Sequence, residues 1–416
     1  MATKESKQVL RRRVFYIPGY DPIHPRRYRE MYRREGAEQA LISDYEISLT
    51  PKTTKGPYGW HVHGVMDGKE TTTDFEVLVW SDIVRDSMSN SIPATYAQLL
   101  RTAWIYISTG TLFRLMRLRK GPVIAALYPV AMLILQLSVA VLIGWGIAKF
   151  VDLFSGALGS GVSETLIRLG AFLIGLIAVV VVLRWFRARD NRLMAYYLMH
   201  DYAYSARLRG AIPPELDARL AEFGDQIADA LCQDEDEVLV VGHSSGAHLA
   251  VTVLADLIRA GKVPKDGPAL GFLSLGQVVP MVSFLPLADQ LRGDLQYLSA
   301  RDELTWVDVS APGDGCAFAL CDPVTVSGVA PADKKWPLVF SAAFTQTLSP
   351  ERWNELKRRY FRLHFQYLCA FDRPKDYDYF RITAGPKTLA ARYDGRSPSR
   401  SRIDKAVSKY TSVRAL

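Results

Sequence analysis

Apolar positions along the chain fall into two patterns. The first is the short run rich in β-branched or aromatic residues. Val14 to Pro18, Tyr45 to Thr50, Trp60 to Val65, Phe75 to Trp80, Val238 to Val241, Ala269 to Leu275 and Leu304 to Val309 all have the length of strands. Segments of helical period lie between the later runs. Pro213-Pro214 opens one that places Leu216, Leu220, Phe223, Ile227 and Leu231 on a single face and ends near Cys232. Another runs from Ala247 to Gly261, and the charged, helix-forming stretch Arg26 to Leu41 is suited to covering one face of a sheet. Strands that alternate with helices predict an α/β fold with a mostly parallel sheet covered on both faces.

The second pattern is long and unbroken. No charged residue occurs from Val123 to Ala148, a run longer than the ~20 residues that cross a hydrocarbon core. Leu169 to Leu183 is also uncharged, and Arg168 and Arg184 at its ends can extend it by snorkelling. These runs predict a two-helix transmembrane hairpin inserted into the α/β fold. Its short link, Lys149 to Glu164, carries Gly156, Gly159 and Gly161 and a single basic residue. The outer flanks carry Arg114, Arg117, Arg119 and Lys120 on one side and Arg184, Arg187, Arg189 and Arg192 on the other. The positive-inside rule then puts both flanks, and with them both termini, in the cytoplasm of a two-span protein, as in a bacterial inner membrane. Leu193 to Leu208, rich in tyrosine, is expected to run along the bilayer surface.

Composition adds little to the fold and more to the compartment. Across 416 residues the chain is 49% hydrophobic and 23% charged, ordinary for a globular protein. The net charge of +8 is clustered beside the apolar spans, which favours anionic lipid over nucleic acid as its counterpart. Four cysteines without metal-ligand spacing read as reduced thiols. His61 and His63 share one face of a strand, but no supporting carboxylate or cysteine stands at ligand spacing, so they read as surface positions and no metal is expected. No dinucleotide or phosphate-loop motif occurs, and no cofactor is expected.

The chemistry gathers at Val238-Leu239-Val240-Val241-Gly242-His243-Ser244-Ser245-Gly246-Ala247, where a strand runs through Gly-x-Ser-x-Gly into a helix. A serine on such a turn has its hydroxyl lifted above the sheet edge, and Gly242 and Gly246 let strand and helix close around it. Earlier in the chain, Val14 to Pro18 ends in Gly19-Tyr20-Asp21-Pro22. That loop can offer the Tyr20 amide, with the Ser245 amide after the serine, as an oxyanion hole. A serine needs a base, and the base an orienting acid. His24, His61, His63 and His200 precede the serine, and His243 and His248 adjoin it; His364 alone lies well downstream.

This arrangement, with strand, Gly-His-Ser-Ser-Gly, helix and an earlier strand followed by a Pro-Gly loop, resembles the α/β-hydrolase superfamily, and its lipase- and esterase-like members in particular. The resemblance covers roughly residues 12 to 85 and 195 to 386. It implies the order serine, acid, histidine, hence Ser244 as nucleophile and His364 as base. His364 departs from the family in lying on a helical segment rather than in a loop. Asp314, between two glycines just past the strand Leu304 to Val309, is the favoured acid, with Asp308 and Asp322 as alternatives.

The expected organisation is therefore an α/β-hydrolase domain in two parts, residues 1–122 and 187–386. A hairpin at 123–186 divides it and a basic disordered tail, 387–416, follows it. The expected function is a membrane-anchored serine hydrolase that cleaves an acyl ester or lipid. The alternative is a catalytically inactive α/β-hydrolase-like scaffold that binds a partner. Two spans with no central charge argue against a transporter.

Overall fold

The computed structural model describes residues 8–53, 56–88, 91–157 and 163–414. They fall into two compact units: Met1–Asp86, Tyr106–Val123 and Leu208–Leu416 form the first, Ser87–Ile105 and Ile124–Arg207 the second. The second unit is larger than the expected hairpin, because it also takes in helical segments on either side of the apolar runs.

The first unit is built on one eight-stranded mixed sheet. Its strands are β1 (Arg11–Ile17), β2 (Glu46–Pro51), β3 (Gly59–Met66), β4 (Lys69–Val77), β5 (Glu237–His243), β6 (Ala269–Leu275), β7 (Leu304–Ser310) and β8 (Leu338–Ser341), in the spatial order β2-β3-β4-β1-β5-β6-β7-β8. The β2–β3 and β3–β4 pairs are antiparallel and all other pairs parallel. β1 lies at the centre, with Val14 opposite Phe75 of β4 and Leu239 of β5. Every residue of β5 is buried, as a strand covered on both faces requires.

Even the charges at this centre are paired. Arg12 Nε donates to Glu237 Oε2 at 2.6 Å, with side-chain exposures of 0% and 1%, and the other guanidinium nitrogens donate to the carbonyls of Gly385 and Lys387. Trp60 and Phe75, opposite each other on β3 and β4, stack at 4.4 Å.

Several expectations shift. β4 begins earlier than the apolar run Phe75 to Trp80 suggests, because Thr71 and Thr73 turn inward and donate to the carbonyls of Val9 and Thr383. β8, four residues long, was not foreseen; it is too short to show a period. His61 does meet a carboxylate: Asp74 lies directly opposite on β4, 2.5 Å from Nδ1.

Over residues 387–414 the tail, expected to be disordered, is held by hydrogen bonds. Although basic in composition, it is bound through its backbone. Ile403 N donates to Leu320 O, Asp322 N donates to Ile403 O, Val407 N to Val326 O, and Arg414 N to Asp289 O. Arg292, fully buried, closes it down: Nε donates to Ser412 O and Nη2 to Ser412 Oγ, while Nη1 donates to Ser283 O and Leu285 O.

The second unit contains the helices Lys120–Ala157 (from Ile124 on) and Glu164–Ala188, both long and apolar enough to cross a membrane. Only 22% and 17% of their most apolar stretches are buried, so neither is the core helix of a globular domain. Leu142 and Phe172 are 65% and 62% exposed. The two helices meet at Gly144 and Gly175, where a Cβ on either glycine would come within 2.6 Å of the other's carbonyl oxygen. The first helix runs on to Ala157, through the first part of the expected link, and residues 158–162, with Gly159 and Gly161, lie outside the described residues. The tyrosine-rich segment forms a helix, Ala195–Ala206, that does not present a free amphipathic face. Ala195, Tyr196, Met199 and Ala203 pack with Leu99 and Leu133, and His200 Nδ1 is 2.9 Å from Gln98 Oε1.

Candidate active site

The sheet changes direction of growth at β1: the earlier strands extend to one side of it and the later ones to the other. In open α/β sheets the crevice outside the carboxyl ends of the strands at such a point takes the ligand. The ends of β1 and β5 carry the Pro-Gly loop and the serine turn.

Ser244 follows β5 with φ 57°, a left-handed conformation that costs a non-glycine residue about 1–3 kcal/mol and recurs at functional sites. Its N–H donates to Leu275 O at the end of β6, and its carbonyl accepts from Ala247 N in the first turn of the helix Gly246–Arg259. A Cβ on Gly242 would stand 2.7 Å from Gly246 O, and one on Gly246 would overlap Ile17 O, so the turn closes only with glycine at both positions. Ser245 is buried at the N-terminal boundary of that helix, whose positive dipole end faces the turn.

The loop after β1 lies against the serine. A Cβ on Gly19 would be 3.0 Å from Ser244 Cβ and 3.4 Å from its Oγ. This loop is braced: Trp80 Nε1 donates to Pro18 O, the buried Tyr20 ring packs edge-on to Trp80, and Asp21 accepts from Tyr28 Oη at 2.6 Å and Arg27 at 3.1 Å.

Asp314 and His364, fifty positions apart, meet in the first unit. His364 Nδ1 lies 2.7 Å from Asp314 Oδ2, which also accepts from Tyr367 Oη at 3.0 Å, while Asp314 Oδ1 accepts from Cys316 N at 2.9 Å. Burial alone would raise the Asp314 carboxyl. The adjacent imidazole and these three hydrogen bonds outweigh it and hold the group below the ordinary carboxylate range. His364 ends the short helix Tyr360–His364, as its sequence suggested, and its Cε1 would come within 3.1 Å of a Cβ on Gly276, directly after β6. The imidazole is thus placed beside the strand that binds the Ser244 amide. Nε2 of His364 is buried without a hydrogen-bond partner, so Ser244 Oγ and His364 are neighbours of one framework but are not hydrogen-bonded to each other.

The remaining residues sort by their partners. Asp308 is buried in β7, accepts from Ser274 Oγ at 2.7 Å and is pushed up to about 8 by burial. Asp322 caps the helix Pro323–Val326 and pairs with Lys334 at 2.6 Å. His364 Nδ1 bonds Asp314 instead of either. His243, the residue before the serine, packs against the His364 ring at 4.8 Å, and its Nε2 is 3.0 Å from His364 O. Burial, and after it the nearby His364, drives its pKa down to about 3, so the imidazole is neutral and Nε2–H is the donor to that carbonyl. His248 is likewise pushed down to about 4 by burial.

Tyr367 and Cys316 had no assigned role in the sequence, although Tyr367 stands one helical turn after His364 and Cys316 two residues after Asp314. The ligating atoms of Asp314, Cys316 and His364 lie within 4.8 Å of one another, close enough for a soft cation.

Compared with protein-family models, curated proteins and solved structures, the chain matches none.

Proposed function

We propose that this chain is an α/β-hydrolase-like serine hydrolase, anchored by its two apolar helices and acting on an acyl ester. The observation that carries the proposal is the buried Asp314–His364 pair, with Nδ1 engaged and Nε2 left unbonded, beside a serine held at φ 57° on a strand-to-helix turn. A carboxylate on Nδ1 fixes the tautomer that leaves Nε2 as the base. Catalytic hydrogen bonds are often unmade before substrate binds and tighten in the complex, so the open Ser244–His364 pair is compatible with this role.

In the proposed cycle Ser244 Oγ attacks the ester carbonyl carbon while His364 Nε2 takes the hydroxyl proton. The Ser245 and Tyr20 amides bind the oxyanion, each donor lowering the barrier by about 3 kcal/mol. The tetrahedral intermediate collapses, the C–O bond to the alcohol breaks, and His364 returns the proton to the leaving oxygen. Water, deprotonated by the same imidazole, then cleaves the acyl-enzyme and frees the acid. Membrane anchoring favours substrates drawn from the bilayer, with both basic flanks and the α/β unit in the cytoplasm.

The test is covalent labelling with a fluorophosphonate. The full chain in detergent should be labelled, and Ser244→Ala and His364→Ala should not; equal labelling of wild type and Ser244→Ala would sink the proposal. A second reading, an inactive scaffold that retains the fold, draws on the absent Ser244–His364 hydrogen bond. It predicts no labelling and no hydrolysis across a panel of esters of graded chain length.

A further inference from the structure

A second concavity lies in the α/β unit, lined by none of the residues discussed above for Ser244 and His364. Its volume is about 430 Å³, within the range of small-ligand pockets, and its wall carries four cations, Lys375, Arg381, Arg392 and Arg396, against two carboxylates, Asp376 and Asp378. The carboxylates are already engaged. Asp378 caps the helix Tyr379–Ala384, accepting from the amides of Phe380 and Arg381 and from Tyr45 Oη. Asp376 is bound to Arg396 at 2.6 Å.

The cations are less well served. Arg381 reaches an exposed partner, Asp67, at 3.2 Å, and Lys375 Nζ donates to the neutral Gln346. Arg392 makes no ion pair among the described residues, and the Nε atoms of both Arg392 and Arg396 are buried without a hydrogen-bond partner. Buried guanidinium donors left unsatisfied are unfavourable unless an acceptor completes them. Two of the side chains are also held in place by rings: the Arg396 guanidinium lies 4.0 Å from the Phe340 centroid and that of Arg381 5.7 Å from Tyr45. Surplus positive charge and Nε–H groups left unfilled match the doubly charged, three-oxygen end of a phosphate monoester. The space exceeds that of phosphate alone, and Ser43 and Tyr393 on the wall suit a hydroxylated body.

We propose that this cavity binds a phosphate monoester of sugar-phosphate size, with the phosphoryl group on Arg392 and Arg396. The site stands independently of any hydrolytic activity.

Isothermal titration of the full chain in neutral detergent tests it, with glucose 6-phosphate, inorganic phosphate and glucose as probes. Flotation with vesicles of phosphatidic acid or phosphatidylcholine distinguishes a lipid monoester from a soluble one. Glucose 6-phosphate should bind saturably and glucose should not, and Arg392→Gln should weaken binding about tenfold or more, with Arg392→Lys intermediate. Binding confined to phosphatidic acid vesicles and lost in Arg392→Gln assigns the same chemistry to a headgroup. Lys375→Gln, at a less constrained position, should weaken binding and flatten its salt dependence, and it serves if Arg392→Gln melts early. Absence of binding by every phosphorylated probe, or equal binding by wild type and well-folded variants, overturns the proposal.

Discussion

Two buried aspartates in the same unit show how surroundings divide one side-chain type into different roles. Asp314 receives three hydrogen bonds, one of them from an imidazole, so it remains ionised; Asp308 has one hydroxyl donor and an unsatisfied Oδ1, so burial dominates and its pKa climbs from 3.8 to about 8. If His364 is the base, Asp314→Asn should lower kcat by about 10³–10⁴ by removing the acceptor that selects its tautomer. Tyr367→Phe, which removes one donor to the same oxygen, should cost only about tenfold. Both are read from ester hydrolysis with folding checked by circular dichroism. Asp308 predicts a stability effect instead. A raised folded-state pKa means that the folded chain holds a proton the unfolded chain releases. That stabilisation is complete below about pH 4 and fades as pH rises toward 8, at about 1.4 kcal/mol per unit. Asp308→Asn should therefore flatten the pH dependence of urea unfolding across this window. Parallel curves for the two proteins would show that the carboxyl ionises freely when folded.

At the scale of elements, what the sequence revealed followed from repetition. β5 is buried throughout and β6 and β7 at all but one residue each, and their mostly apolar runs are the pattern that double burial requires. The serine turn was equally legible, because only glycine fits at positions 242 and 246. Partners from distant parts of the chain left no such mark. Nothing local indicates that Thr73 bonds Thr383, that Asp74 faces His61, or that His243 holds the His364 carbonyl. The choice among Asp308, Asp314 and Asp322 likewise depended on where residue 364 returns. The helix pair offers a direct test of close approach. Gly175→Leu should lower the unfolding temperature of the detergent-solubilised chain, since its Cβ would meet Gly144 O and Ala148 Cβ within 3 Å. Gly146→Leu, on the same pair but with nothing within 4 Å of its Cβ, should leave it nearly unchanged. Equal melting of the two variants would mean that the crossing is not packed through Gly175.

At the scale of the molecule, the final residues act as a strap. They join the segment after β7, the helix Asp289–Ser299 and the buried Arg292, all from the second part of the α/β unit. Deleting residues 403–416 would leave Arg292 without its Ser412 acceptors. The expected cost is about 3–5 kcal/mol of stability, read from urea unfolding of the full-length and shortened chains. Arg292→Met combined with the deletion should recover part of it, because the stranded charge is then gone. A deletion without effect would return the tail to the solvated segment its composition suggests.

The central place of β1 has a temporal consequence for a chain made from one end to the other. Arg12 and its buried partner Glu237 are 225 positions apart, which a ribosome covers in roughly 10–45 s. For that interval β1 and β4 can pair, but one margin of β1 stays bare while the two apolar helices are being made. The newborn amino-terminal half is thus the species most exposed to mispairing, and synthesis of both apolar helices comes before the sheet is sealed.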